Sequence, residues 1–415
     1  MRLGHICSEW RDVILSAPQL WSQFTLNLGY SLSDEIPYSQ LLLLYVKNSG
    51  NSPFRLEVFL DDLTHLHLSI KTVEILHKHV PKVHTLIIDG IYGSPQQDFP
   101  QFPESWLSSI ENLQLSTEVQ FIHSRVLFDG FTHLRKLELD SVGYSKDIQL
   151  PWEQLTSLKL NVWPVDLCMS FLVRCPNLVE FHALEITRPE AAIDPRLPGH
   201  AHKLEHLSWG FRLLLMCFFF PHQLRFPSLR TFHWHSQPRS MPPEPHIELA
   251  EDEMGALRSL VSNLPPNISQ LHLFNARAWS DEFTEFIFVK LKGLKIVRFV
   301  ECDPLIVVHF LSLLSRVNDR GGCCILPSLA EIVIEVFEFF DESRARLDDG
   351  IASHVPPLFR LRDPHKTKQF SLHVMLQHKT VSKGMHEACA SLKKDGYAFK
   401  VWYKEIYCYR VPLLD

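Results

Sequence analysis

At 415 residues, with 46% hydrophobic and 21% charged side chains, the chain is long enough for a large buried core and too apolar for wholesale disorder. Its formal net charge of −6 gives no electrostatic reason to expect nucleic acid or an anionic membrane as the main partner. No stretch approaches the roughly 20 apolar residues of a membrane helix, no secretory signal pattern opens the chain, and the nine cysteines lack framework spacing; these are the marks expected of a cytoplasmic or nuclear protein.

In chain order, residues 1–28 come first and are amphipathic and rich in tryptophan. Leu3, Ile6, Cys7, Trp10, Val13 and Ile14 follow i, i+3, i+4 spacing and predict one apolar helix face. Ser16 or Ala17 ends that helix, and Pro18 opens a short turn that aims Leu20 and Trp21 back into it. Residues 29–82 hold two helical patterns, around Gln40–Lys47 and Ile70–His79, with a strand-like Phe54–Leu60 between them; they read as a linker and N-terminal cap.

From residue 83 to 340 a short pattern keeps returning: apolar-x-x-apolar-x-apolar, then a turn, then an apolar stretch. Copies begin at Val83, Ile110, Leu134, Leu155, Leu178, Leu204, Leu229, Ile268, Leu294 and Leu329, at spacings of 21 to 39 residues. Alternation makes each pattern a short strand with one apolar face, so Leu134, Leu137 and Leu139 point inward while Lys136, Glu138 and Asp140 point out. Helical spacing follows at Asp166–Arg174, Glu251–Asn263 and Asp281–Lys290. Most spacings fit the roughly 20–29 residues of a leucine-rich repeat. The predicted fold class is therefore α/β: an irregular leucine-rich-repeat solenoid, a curved parallel sheet with helices on the convex side. The consensus asparagine after the strand is mostly absent, and Cys302 stands in its place in the Leu294 repeat. The proline-rich, acidic Pro238–Glu253 reads as an exposed loop, and the apolar Leu213–Phe220 as a buried element. Residues 341–415, with strand-like alternation at Phe370–Leu376 and Tyr397–Tyr409, read as a C-terminal repeat and cap.

The segment 3–21 resembles the second half of an F-box domain. Ile6, Cys7, Trp10 and Arg11 match its apolar and Cys/Trp-Arg elements, and Pro18, Leu20 and Trp21 match its Pro-x-Leu-Trp ending. The Leu-Pro-x-Glu-Ile/Leu segment that opens such a domain is not part of the match. The phrasing, with repeats following and a Cys175-Pro176-Asn177-Leu178 run ahead of a strand, is most similar to F-box leucine-rich-repeat proteins of mushroom-forming fungi. The resemblance implies a substrate-recognition subunit of an SCF cullin–RING ubiquitin ligase, docking a Skp-type adaptor through the F-box and a protein substrate through the repeats. Two plainer readings stay open. The segment can be a cap over the open end of the array, and the whole chain a protein-interaction scaffold without a ubiquitin role.

No phosphate loop, dinucleotide fingerprint, nucleophile elbow, His-Glu-x-x-His or Cys-x-x-Cys occurs, so neither an enzyme nor a metal or cofactor is expected. His233 and His235 share a strand face but read as solvated or partner-contacting, Cys323 and Cys324 as loop thiols, and the Asp61-Asp62 and Asp348-Asp349 pairs as surface turns. The residue between the last two apolar positions of each repeat faces the concave side: Gln114, Glu138, Lys159, His182, Ser208, His233, His272 and Arg298 in turn. Lys159, His182, His233, His272 and Arg298 are the candidate substrate strip. Their types predict a basic-to-neutral patch that charges near pH 6 and suits an acidic or phosphorylated segment, with Arg298 gripping the anion.

Overall fold

The computed structural model describes residues 8–27, 38–59, 83–91, 107–117, 130–140, 150–187, 201–211, 225–236, 251–277, 279–317, 325–336, 341–363, 365, 370–376, 382–397, 400–404 and 410–412. The predicted elements at Ile70–His79 and Leu213–Phe220, most of the Pro238–Glu253 loop, and Cys323 and Cys324 lie outside them. The chain divides into two compact units, one comprising 1–163 with 167–178 and the other 164–166 with 179–415. Each is a repeat-like α/β assembly of parallel strands in chain order.

In the first unit, β1 (Gln23–Asn27), β2 (Phe54–Phe59), β3 (Val83–Ile91), β4 (Asn112–Thr117), β5 (Lys136–Asp140) and β6 (Ser157–Asn161) pair in that order, all parallel. Leu113, Leu137 and Leu158 are register partners, and Leu115, Leu139 and Leu160 form a second file two residues on. All six are buried. Period-2 alternation produces this: one pleat face carries only leucine, and each buried Leu contributes roughly 1.5–3 kcal/mol of transfer free energy. β1 and β2 extend the pairing N-terminal to residue 83. Their apolar positions, Phe24 and Leu26, then Phe54 and Leu56, alternate correctly; in β1 the buried Trp21 stands three residues ahead of Phe24 and completes the repeat pattern, whereas Asn51 stands three ahead of Phe54 in β2.

Helix α1 (Ser8–Leu15) and a 3-10 turn (Pro18–Trp21) precede β1, and α2 (Tyr38–Ser49) follows it. Trp21 is buried edge-on against Tyr45 at 5.2 Å, and Phe24 meets the same ring at 5.1 Å. The Trp21 indole N–H donates to the Ile14 carbonyl at 2.7 Å, which ties the turn to the end of α1. Most of α3 (Val165–Arg174) also packs in this unit, where Phe171 lies between Trp152 and Trp163 and the Arg174 guanidinium sits 4.0 Å over the Trp152 ring.

In the second unit, β7 (Glu180–Leu184), β8 (His206–Phe211), β9 (Thr231–Ser236), β10 (Gln270–Phe274), β11 (Ile296–Val300), β12 (Glu331–Val336), β13 (Ser371–Leu376) and β14 (Lys400–Lys404) pair in parallel. β15 (Arg410–Pro412) closes the edge antiparallel to β14. The inner file runs Phe181, Leu207, Phe232, Leu271, Val297, Ile332 and Leu372, every member buried. The helices are α4 (Glu251–Asn263), α5 (Asp281–Lys290), α6 (Pro304–Leu314), α7 (Asp341–Arg362) and α8 (Lys383–Lys394). Ser280, Asp303 and Ser382 cap α5, α6 and α8 with side-chain oxygens that accept backbone N–H groups.

Strand ends repeat one local geometry. Val162, Glu185, Asn275 and Glu301 each follow a strand with φ between 47° and 58°, and the next residue, Trp163, Ile186, Ala276 or Cys302, is buried. Only Asn275 is a residue that favours this region. Backbone bonds hold the turns of the second unit: Asn275 N–H donates to Val300 O at 2.8 Å and Glu301 N–H to Glu335 O at 2.9 Å. At the position of the repeat asparagine, the buried Cys302 thiol lies 3.2 Å from Leu273 O, so it donates across to the preceding strand. Burial pushes that thiol up to about 12, which keeps it the S–H donor this contact needs.

The structure goes beyond the sequence reading at three places. α7 lies outside the sequence expectations, and Pro356 and Pro357 stand inside it, a residue type that works against a helical pattern in sequence. Asp348 is not in a surface turn: it is a buried α7 residue whose carboxylate accepts the Ser382 N–H at 3.1 Å. The structure supplies the direction of the apolar face expected on the first helix, which looks to solvent. Trp10 and Val13 are 53% and 57% exposed and Ile14 is half-buried, while Leu3, Ile6 and Cys7 lie outside the described residues.

Candidate functional site

Strand register decides which polar side chains share the outer sheet face. In the first unit, Gln114, Glu138 and Lys159 are consecutive partners, and the Lys159 ammonium donates to the Glu138 carboxylate at 2.5 Å. In the second unit, His182, Ser208, His233, His272 and Arg298 are consecutive partners along β7 to β11. Lys159 therefore belongs to one unit and the other four strip residues to the other.

The second-unit strip is a connected ladder. The Ser208 hydroxyl bridges His182 Nδ1 at 2.7 Å and His233 Nδ1 at 3.0 Å. His233 stacks on His272 with ring centres 4.4 Å apart and 13° between planes. One pleat further, His235 stacks on Phe274 at 4.2 Å and 2°. Arg298 closes the ladder with an ion pair to Glu335, a carboxylate only 5% exposed. His235 was paired with His233 on one strand face in the sequence, but Phe274 and Glu335 were not singled out. Counting two residues on from His233 and His272, the next outward position on each strand, reaches His235 and Phe274; Glu335 lies two residues on from Val333, the register partner of Arg298, on a strand beyond the strip.

Electrostatics here run against the sequence expectation. Burial is the first cause holding His233 down to about 3, with the neighbouring imidazoles of His272 and His235 adding to it. Burial likewise lowers His235 and His272 to about 4, with Arg298 a further cause at His272. The three rings stay neutral at pH 6, and Lys159 and Arg298 are already paired with carboxylates. His233 and His272 therefore do not supply the charge near pH 6 that the strip's composition suggested, because stacked rings half-withdrawn from water disfavour the imidazolium.

This carries a pH prediction. The unfolded histidines take up protons near 6.5 and the folded ones only near 3 to 4, so the unfolded state binds more protons between those limits. Stability is fully present above pH 6.5 and is lost as pH falls toward 4. Each ring contributes a slope of up to about 1.4 kcal/mol per pH unit. Urea midpoints of wild type and of the triple variant His233→Gln, His235→Gln, His272→Gln, compared between pH 7 and pH 5, isolate the effect: wild type should lose more stability.

A second feature lies in the first unit. Trp10, Val13 and Leu20 are 53%, 57% and 60% exposed, whereas Trp21 is buried at 2%. Leu20 therefore does not fold back as the sequence suggested. Within the 3-10 turn only one of Leu20 and Trp21 can face inward, and the indole, with its hydrogen bond to Ile14, takes that place. Arg11 and Pro18 lie between members of the exposed set in sequence.

Among the described residues, no group of three or more His, Cys, Asp or Glu side chains is arranged to hold a metal ion. No helix of the described residues is long and apolar enough to cross a membrane. No protein-family model matches the chain, and no curated protein matches it.

Proposed function

We propose that this protein is an F-box-type substrate-recognition subunit of an SCF cullin–RING ubiquitin ligase, with a leucine-rich-repeat array that holds a protein substrate. The observation that carries the reading is the division of labour within residues 8–21. Trp21 fastens the segment to α2 and β1, while Trp10, Val13 and Leu20 present a contiguous stretch of sequence with large apolar side chains to solvent. A plain cap would turn those side chains inward. Large apolar side chains held exposed in this way are candidates for cover by a protein partner, and the matching F-box positions would meet a Skp-type adaptor. The polar outer face of the second unit, His182 to Arg298, is then the surface for substrate. Ubiquitin transfer belongs to other subunits, so the protein itself is not an enzyme.

Affinity purification of the tagged full chain under proteasome inhibition, read by mass spectrometry, tests the reading. A Skp-type adaptor and a cullin should be recovered together with substrates that accumulate under the inhibitor. Recovery of partners without adaptor or cullin would point to a repeat scaffold with no ubiquitin role.

A further inference from the structure

The second unit carries a groove of about 670 Å³, away from the His ladder, where the C-terminal ends of α4 and α5 meet the segment entering β9. Its apolar lining combines the prolines Pro227, Pro265 and Pro266 with Phe286 and Val289, the last 44% exposed, over the buried Phe226. Arg225, Lys290 and Lys292 are its cations, all three on the exposed surface. No Asp or Glu among the described residues lines it. The two helix C-termini contribute about half a negative charge each, and Lys290, in the last turn of α5, offsets that of its own helix. Three full positive charges still leave the groove net positive, in a chain of formal charge −6. The volume lies within the range that holds a small ligand or a few peptide side chains.

We propose that this groove binds an acidic peptide segment in which one bulky apolar side chain is flanked by carboxylates. The apolar side chain packs on Phe286 and Val289, where it removes two partly exposed hydrophobic surfaces from water. The flanking carboxylates pair with Arg225 and Lys292, which stand outside any helix and answer no helix dipole. The Arg225 guanidinium offers the bidentate geometry that carboxylates prefer. An acidic ligand is thereby directed to this groove and away from the His ladder, whose charged members are already paired. The proposal is independent of the ubiquitin-ligase reading, since it needs neither adaptor nor F-box contact.

The test is fluorescence anisotropy with the full chain and a fluorescein-labelled peptide of sequence Asp-Glu-Phe-Glu-Asp. Two control peptides replace the acids by Asn and Gln, or Phe by Ala. The acidic peptide should bind saturably, at least about tenfold more tightly than the Asn/Gln peptide, and weaken as NaCl rises from about 50 to about 300 mM. The double variant Arg225→Gln, Lys292→Gln should lose about tenfold in affinity with an unchanged circular dichroism spectrum, and Lys394→Gln, an exposed lysine on α8, should lose nothing. No saturable binding, equal affinity for the Asn/Gln peptide, or full affinity in the folded double variant would overturn the proposal. Adaptor recovery stands or falls separately from all of these results.

Discussion

Arg298→Ala is expected to destabilise the second unit by about 3 kcal/mol, far more than a surface ion pair is worth. The reason is the partner left behind. Glu335 is 5% exposed, and without the guanidinium its carboxylate stays buried and uncompensated. The figure is set at the lower end of the range for broken buried pairs because Arg298 itself keeps 36% exposure, so water can reach the vacated side. The double replacement Arg298→Met, Glu335→Met should recover most of the loss, since it removes both charges together. A local reporter accompanies the change. Arg298 is one cause that lowers His272, so in the alanine variant the His272 titration followed by NMR should move up. Equal urea midpoints for Arg298→Ala and wild type would show that the pair does not hold β11 and β12 together.

Leu158→Ala is the second large effect, expected at about 2–5 kcal/mol on the first unit. Leu158 is fully buried and is the register partner of Leu137, with its strand neighbour Leu160 in the next file. Truncation leaves a cavity in a ladder whose rungs are fixed by backbone pairing, so neighbours cannot collapse into it without breaking register. Thr156→Ala is the control: Thr156 lies just before β6, and its side-chain hydroxyl makes a hydrogen bond to Arg135 O at 3.2 Å on the exposed side. Its loss should stay near 1 kcal/mol, the net worth of such a bond.

The repeat strands were legible because a leucine file is a statement about one face of a strand. Lys136-Leu137-Glu138-Leu139 can alternate only one way, and β5 does so. β2 was legible as the strand-like Phe54–Leu60, but β1 was not, because its copy of the pattern, Trp21-x-x-Phe24-x-Leu26, carries aromatic rings where the other copies begin on aliphatic residues. α6, Pro304–Leu314, was missed for the opposite reason: seven of its eleven residues are buried, so little amphipathic contrast remains to read. Within the strip, sequence placed His182, His233, His272 and Arg298 on a common face but could not show Ser208 bridging two imidazoles or Arg298 turning to Glu335. Those depend on neighbouring strands, and with them goes the charge expected of His233 and His272. At the N-terminus, periodicity grouped Trp10 and Val13 on one helix face. It could not say whether that face looks into the array or out to solvent, since an apolar stripe is the same in both cases.

That outward face is the central claim, and direct titration of a purified Skp-type adaptor into the full chain tests it most plainly. Calorimetry with wild type should show saturable binding. Trp10→Ala with Leu20→Ala should abolish it while the Trp21–Tyr45 packing, and with it the thermal midpoint, is retained. Absence of binding to wild type, or undiminished binding by the folded double variant, would contradict the account.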